Sequence, residues 1–190
     1  MYTDIMVDVE TTGTNPQFSG IIQLAAIKFN FDTEDVGGTF DRCPQLLYGR
    51  FWDDNTKHFW QSHPDVLASI QARQEPGVPV YRDFVNWVCE DAPSRGYRFW
   101  AKPSKFDWPL VESHLLQCDL DMPFPHWQSR DLNSWIAGAN HRSVSPPDMK
   151  WMVGQHTGPL HNALSDCVLQ LRMLFNAKKG MFHEILPPVE

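Results

Sequence analysis

Two acids stand one residue apart near the start of the chain, Asp8 and Glu10 in DIMVDVETTG. Side chains alternate along a strand, so both point to one face of an extended segment, near its carboxyl end. Carboxylates so placed repel each other. Burying the pair uncompensated would cost several kcal/mol, which requires a cation or a raised pKa, whereas a solvated edge face would require neither. Two further acids sit near the start of helices expected downstream, Asp107 in KFDWPLVESHLL and Asp166 in LHNALSDCVLQLRMLF. Taken alone, Asp107 reads as a helix cap, with Pro109 in the first turn where a missing N–H does no harm. Asp166 reads as an exposed helical acid lying off an apolar stripe of Leu164, Val168, Leu171 and Phe175. His161 precedes Asp166 by five positions. Five residues turn a helix by about 500°, so the two side chains diverge by roughly 140° if both lie in regular helix. His161 must therefore project from the helix entrance, either as a packing or capping residue or toward the place Asp166 faces.

The elements that must position these residues follow from the apolar pattern. DIMVDVE is a strand ended by a turn at Thr11, Thr12 and Gly13, and the run from Ile21 to Phe31 is a second strand. A third around Thr39 to Arg42 completes a meander. Asn55 or Thr56 caps a short helix through TKHFWQS, which His63-Pro64 interrupts. Val80, Tyr81, Phe84, Val85 and Val88 recur at helical spacing in an amphipathic helix that starts near Pro79. Tyr97 to Ala101 is a buried strand, followed by a helix carrying Leu110, Val111 and Leu115. A short helix over Leu132 to Ala139 and a final one from about Asn162 to Ala177 complete the set. The order strand, crossover helix, strand, helix implies an α/β protein with a mixed sheet covered by helices. His141 to Pro159, rich in Ser, Pro and Gly, reads as a loop, and the terminal LPPVE as frayed.

A chain of 190 residues, 42% hydrophobic and 21% charged, has the makings of one globular domain, expected over residues 1–180 with a tail at 181–190. Collagen-like, coiled-coil and disordered classes are excluded by that composition. No apolar run approaches the roughly 18 residues of a membrane span, and MYTDIMVDVE is acidic where a signal peptide is basic, so a cytoplasmic protein without membrane partners is expected. Cys43, Cys89, Cys118 and Cys167 lie far apart with no C-x-x-C pair, which fits buried free thiols rather than a zinc ribbon or disulfide scaffold. The net charge of −7 argues against a basic surface that tracks duplexes. It leaves room for a small basic patch on a short single strand.

VDVETTG, KFD and HNALSDC, in this order across most of the chain, resemble the three motifs of the DEDDh 3′-to-5′ exonucleases, the DnaQ-like branch of the ribonuclease H-like fold. The residues that carry the resemblance are Asp8 and Glu10, then Asp107, then His161 and Asp166. The sister branch places tyrosine four before the last acid, where this chain has Asn162. TKHFWQS, SRDLNSWI and HNALSDCVLQ are further similar to an exoribonuclease-like subgroup of mycobacteria and phages, to which the phage exonuclease A type is related. The second motif departs from the common pattern in having Lys102 and Pro103 ahead of the Phe-Asp pair, which bears on substrate contacts of that loop more than on chemistry.

The resemblance implies a ribonuclease H-like mixed sheet, a three-stranded meander plus parallel strands, flanked by helices. It also implies metal-dependent 3′-5′ hydrolysis of phosphodiester bonds at single-stranded RNA or DNA 3′ ends, RNA slightly favoured, with release of nucleoside 5′-monophosphates. Two divalent cations about 4 Å apart would support that reaction, and carboxylate ligands suit Mg²⁺ or Mn²⁺ rather than zinc. By resemblance Asp8 bridges both ions, Glu10 and Asp166 complete one, Asp107 supports the other, and His161 is the general base. Thr11 and Thr12 are candidates to meet the terminal sugar. Trp60 and Phe106, with Phe59 and Trp108, are candidates to stack bases, against the commoner fate of core aromatics. Arg130, His141 and Arg142 are either phosphate contacts or solvated loop charges. Relatives with this motif set imply a homodimer. The alternative is a catalytically silent nucleic-acid or protein-binding module on the same fold, which the complete set of five motif residues disfavours; an endonuclease of the same broad fold is a third reading.

Overall fold

The computed structural model describes residues 1–139 and 160–179. Three antiparallel strands open the chain, β1 (Asp4–Thr11), β2 (Ile21–Phe29) and β3 (Val36–Pro44). β2 is buried along its whole length, which is why its sequence runs apolar without alternation. The β1–β2 ladder runs from Asp4 opposite Phe29 to Glu10 opposite Gln23, then shifts register so that Thr11 faces Ile21. Such a bulge bends the strand and ends regular pairing just past the two acids. Gly13 follows, so close to Asp53 and Ser19 that a Cβ would meet Asp53 Oδ2 at 2.1 Å. Only glycine lets the chain turn there.

β5 (Arg98–Ala101) pairs in parallel with β1, and β6 (Ser129–Asp131) with β5. β4 (Gln74–Glu75) pairs in parallel with β3 at the far edge, giving the order β4-β3-β2-β1-β5-β6. The α/β expectation of a meander extended by parallel strands is borne out. β4 and β6 are two and three residues long, too short for any periodicity to mark them.

Among the described residues six α-helices flank the sheet: α1 (Asp54–Gln61), α2 (Pro64–Ala72), α3 (Gly77–Cys89), α4 (Ser104–Gln117), α5 (Leu132–Ala139) and α6 (Ala163–Lys178). Ile5, Val7 and Val9 of β1 join Val80, Tyr81 and Phe84 of α3 and Leu110, Val111 and Leu115 of α4 in one apolar layer. Met6, on the opposite face, joins Leu132 and Ile136 of α5 and Ala163, Cys167, Leu171 and Leu174 of α6. Asp8 and Glu10 share Met6's face and so look toward α6.

Several expectations are corrected. Asp53, not Asn55 or Thr56, caps α1: its carboxylate accepts from the Thr56 amide at 2.8 Å and the Thr56 hydroxyl at 2.9 Å. His63-Pro64 does not merely stop α1 but opens α2, because proline at the first position gives up only an amide that the helix leaves unpaired. α3 starts at Gly77, with Pro79 inside its first turn for the same reason. In α6 the buried face is Ala163, Cys167, Gln170, Leu171 and Leu174, whereas Val168 is 39% exposed, so the apolar stripe expected there is rotated. All four cysteines are free, but only Cys43 and Cys167 are buried; Cys118 is half-buried and Cys89 exposed. No helix among the described residues is long and apolar enough to cross a membrane. The expected loop at His141 to Pro159 and the tail at 181–190 lie outside the described residues.

Candidate active site

The β1–β5 ladder reaches only to Met6 opposite Trp100, so the Val9 amide lies beyond it. That amide is buried and must find an acceptor. Asp107, in the first turn of α4, supplies one: its Oδ1 accepts from Val9 N at 3.1 Å. Asp107 is 1% exposed, and its other oxygen, Oδ2, is buried with no hydrogen-bond partner. It is therefore not a simple cap of its own helix. One oxygen docks the helix on the strand and the other is left unpaired.

The start of α6 is fixed from two directions. The Asn162 side chain caps it by accepting from Ser165 N at 3.2 Å, and the Ala163 amide donates to Gln23 Oε1 at 3.1 Å, opposite Glu10 in the sheet. Cys167 then lies flat on the strands, its Sγ 3.7 Å from the carbonyl oxygens of Met6 and Ala25. A larger side chain there would hold the helix off. With α6 pressed this close, carboxylate oxygens of Asp8, Glu10 and Asp166 all lie within 4.8 Å of one another. Gln170, one turn beyond Asp166, donates from Nε2 to Asp8 Oδ1 at 2.7 Å. Gln170 was not among the residues singled out from sequence. Its signal was available: it stands at i+4 from Asp166, and residues so spaced share a helix face.

The electrostatics of this cluster are unfavourable as it stands. Burial, then the charges of Asp107, Glu10 and Asp166, hold Asp8 well above the usual carboxylate range, with the Gln170 hydrogen bond opposing them. Burial, then Asp166 and Asp107, push Glu10 up to about 8. Burial pushes Asp107 up to about 8 against the stabilising Val9 amide. Among the described residues no basic side chain relieves Asp8, Glu10 or Asp107. Carboxylate oxygens packed at this density, with one buried oxygen unpaired, fit hard divalent cations such as Mg²⁺ or Mn²⁺.

His161 lies at the helix entrance, as its spacing from Asp166 requires, in left-handed backbone at φ 62°. Its ring packs edge-on against Phe59 of α1 and His63, with centroids 4.8 and 4.4 Å away. Burial, then the neighbouring His63, lower its pKa below the usual 6.5, so the ring is neutral at pH 7.

The residues expected to touch substrate fall out differently. Thr12 is fully buried: its amide donates to Gly20 O, its hydroxyl donates to Phe51 O, and it accepts from Gly20 N. The Thr11 hydroxyl donates to Gly13 O. Both threonines are thus committed to holding the turn after β1. Trp60 is 2% exposed and its indole N–H donates to Thr11 O at 3.0 Å, so it is a buried post beneath the turn without a face for a base. Phe106 is partly buried against the layer of α3 and α4. Phe59, 39% exposed beside His161, is better placed to meet a base than Trp60. Arg130 donates to the carbonyls of Trp127 and Ser129 rather than facing the acids; His141 and Arg142 lie outside the described residues.

The fold is shared with several nucleases. The nuclease domain of 3′hExo, a DEDDh family member solved bound to rAMP, matches with a TM-score of 0.64 and 17% identity over 94% of each chain. Cell-death related nuclease 4 (CRN-4) matches with a TM-score of 0.64 and 16% identity over 94% of this chain and 64% of its own. E. coli ExoI, in a zinc-bound complex with ssDNA, matches with a TM-score of 0.72 and 15% identity over 97% of this chain and 42% of its own. The chain thus spans less than two thirds of the length of CRN-4 and less than half that of ExoI. No curated protein matches it in sequence. The likenesses show a fold held in common with these nucleases. Residues 3–177 match the model of the 3′-5′ exoribonuclease Rv2179c-like domain, and the chain belongs to that family.

Proposed function

We propose that this protein is a metal-dependent 3′-5′ exonuclease that removes nucleoside 5′-monophosphates from single-stranded 3′ ends, RNA ahead of DNA. The observation that carries this reading is the convergence of carboxylate oxygens of Asp8, Glu10 and Asp166 within 4.8 Å, with Asp107 in electrostatic reach of Asp8 and Glu10 and its buried Oδ2 unpaired. Asp8, Glu10 and Asp166 would hold one divalent cation, with Asp8 shared with a second that Asp107 supports. When bound, the two cations would lower the pKa of the attacking water and neutralise charge gathering on the phosphoryl and departing 3′ oxygens.

The chain's own residues do the rest. Gln170 fixes Asp8 by donating to one of its oxygens, so that carboxylate is oriented before anything binds. The buried turn built by Thr11, Thr12 and Trp60 sets the end of β1 rigidly. His161, kept neutral by burial and by His63, is the acceptor for the proton of the attacking water. Preference for RNA accords with the family's description as an exoribonuclease domain. Residues 1–180 act as a single catalytic domain in this reading, and the homodimer implied by the family resemblance would show in sedimentation of the purified chain.

The test uses end-labelled RNA and DNA of one sequence, single- and double-stranded, with Mg²⁺ or Mn²⁺, and a circular single strand as control. Stepwise release of 5′-mononucleotides from linear strands, abolished in a folded Asp8→Ala variant, is expected. Binding of single strands without release in either metal would make the protein a silent binding module. Cutting of the circle would make it an endonuclease.

A further inference from the structure

At the amino end of β1 and β5, away from the acids, lies a cleft of about 460 Å³ lined by Thr3, Asp32, Arg95, Arg98, Gln128 and Arg130. Three arginines converge there against one acid of the lining, in a chain whose net charge is −7. Their charges are used differently. Arg98 grips Asp4 with Nε at 2.6 Å and Nη2 at 2.7 Å, leaving Nη1 without an acceptor among the described residues. Among the described residues Arg130 is held by neutral acceptors, the carbonyls of Trp127 and Ser129 at 2.9 Å and Gln128 Oε1 at 3.1 Å, which position its guanidinium without neutralising it. Exposed Arg95 makes no hydrogen bond or ion pair among the described residues. It sits on the tight turn closed by the Gly96 amide donating to Pro93 O at 2.7 Å, with Gly96 at φ 71°. The held guanidinium groups of Arg98 and Arg130, with exposed Arg95 beside them in the lining, match the oxygens of a phosphate.

Trp127, the residue before Gln128 of the lining, is 65% exposed, with its ring edge-on to His126 at a centroid distance of 4.9 Å. A large exposed aromatic whose own carbonyl anchors a cation, Arg130, offers the pairing that single-stranded nucleic acids use, a base on the ring and the backbone on the charge. Thr3 precedes Asp8 and Glu10 by five and seven residues on one strand, which at about 3.3 Å per residue is roughly 17–23 Å. β1 is buried between helices on both faces, so a strand must pass round them, and at about 3.4 Å per stacked nucleotide the path takes at least roughly five to seven nucleotides.

We propose that this cleft is a second binding site for single-stranded nucleic acid, remote from the acid cluster, in which Arg95, Arg98 and Arg130 hold a backbone phosphate and Trp127 stacks a base. It extends the nuclease reading by giving a strand a hold upstream of its 3′ end, yet it is read by binding alone.

The test measures affinity of the full chain in EDTA for a 12-nucleotide oligoadenylate, for adenosine 5′-monophosphate and for inorganic phosphate, as a function of salt. Compared are wild type, Arg95→Gln, Arg95→Gln/Arg130→Gln and Trp127→Ala; Arg98 is left intact because it clamps Asp4. The double variant is expected to bind the 12-mer about 10-fold more weakly, with the slope of log affinity against log salt reduced by about 1.4, the value for two lost contacts to a single strand. Trp127→Ala is expected to lose about 5-fold or more for the 12-mer, while hydrolysis of a dinucleotide in Mg²⁺ stays at the wild-type rate. Loss confined to the monophosphate or to inorganic phosphate would replace the strand by a small phosphate ligand and overturn the proposal. Unchanged 12-mer affinity and salt slope in Arg95→Gln and in the double variant would overturn it too. Because no turnover is needed, a protein inactive in Mg²⁺ that still shows the arginine-dependent affinity would refute the nuclease reading and not this one.

Discussion

Replacing Glu10 with glutamine removes a carboxyl that the metal-free fold keeps protonated at pH 7, where the unfolded chain would release the proton. The carboxyl ionises near 4.5 in the unfolded chain, but in the folded protein burial and the charges of Asp166 and Asp107 push it up to about 8. Below the unfolded value both states carry the proton and nothing is gained or lost. As pH rises past it the unfolded chain releases its proton first, so stability falls until the folded group ionises as well. At pH 7 roughly 2.5 pK units of that interval have been crossed, which at about 1.4 kcal/mol per unit is about 3 kcal/mol. Glutamine has nearly the same shape at this 9% exposed position and no charge to lose. In EDTA at pH 7, Glu10→Gln should therefore be more stable than wild type by about 3 kcal/mol, a rise in Tm of roughly 6–12 °C for a chain of this size. The gain should shrink toward pH 5 and vanish near pH 4. Saturating Mg²⁺ should reverse the ranking, because a ligand that binds only the folded state stabilises wild type and the variant lacks one of its oxygens. Thermal melts of both proteins over pH 4–8, with EDTA or Mg²⁺, decide it. A metal-free variant no more stable than wild type at pH 7 would show that the acids are not strained by one another, and the case for a cation among them would fail.

Gln170→Leu removes a buried Oε1 that has no partner but also leaves Asp8 Oδ1 without its donor, so the two effects offset and folding stability should change by less than about 1 kcal/mol. Activity, read as a Mg²⁺ titration of nucleotide release, should fall by about 10- to 100-fold, the usual cost of losing a group that orients a metal ligand. Trp60→Phe keeps an aromatic ring under the turn but drops the bond to Thr11 O. Urea unfolding should show a loss of about 1 kcal/mol, with KM for oligonucleotides unchanged; a raised KM at unaltered stability would instead restore Trp60 as a stacking platform.

The parts of the fold legible in the sequence are those that rest on local pattern. β1, β2, α5 and α6 stand within two residues of where apolar spacing and turn residues put them. The five-residue interval between His161 and Asp166 was enough to exclude a common helical face, and the left-handed backbone at His161 is how the chain obeys it. Failures came where a position is decided by what lies opposite. Hydrophobicity marks Val168 for the inside of α6, but the helix approaches the sheet so closely that small Ala163 and Cys167 occupy the contact and Val168 turns outward. Thr11, Thr12 and Trp60 look like a ligand's partners because their donors are visible in the sequence, while the acceptors that consume them, Gly13 O, Phe51 O and Thr11 O, are distant or backbone atoms and are not.

Asp107 shows the same limit from the other side, and it ties the fold to the chemistry. Read alone, an acid at the start of α4 is a cap. What changes its role is a property of another element: β5 pairs with β1 only as far as Met6, so β1 runs on without a neighbour on that side and the buried Val9 amide has nothing in the sheet to bind. A longer β5 would satisfy that amide from its own backbone and leave the carboxylate on α4 with no reason to approach β1. Because β5 stops, one oxygen of Asp107 completes the ladder and the other is delivered, unpaired, beside the two acids of β1. The fourth carboxylate is held in place by backbone hydrogen bonding rather than by its attraction to a cation, which is why the cluster can be assembled before any ion arrives and why its acids carry raised pKa values in the meantime.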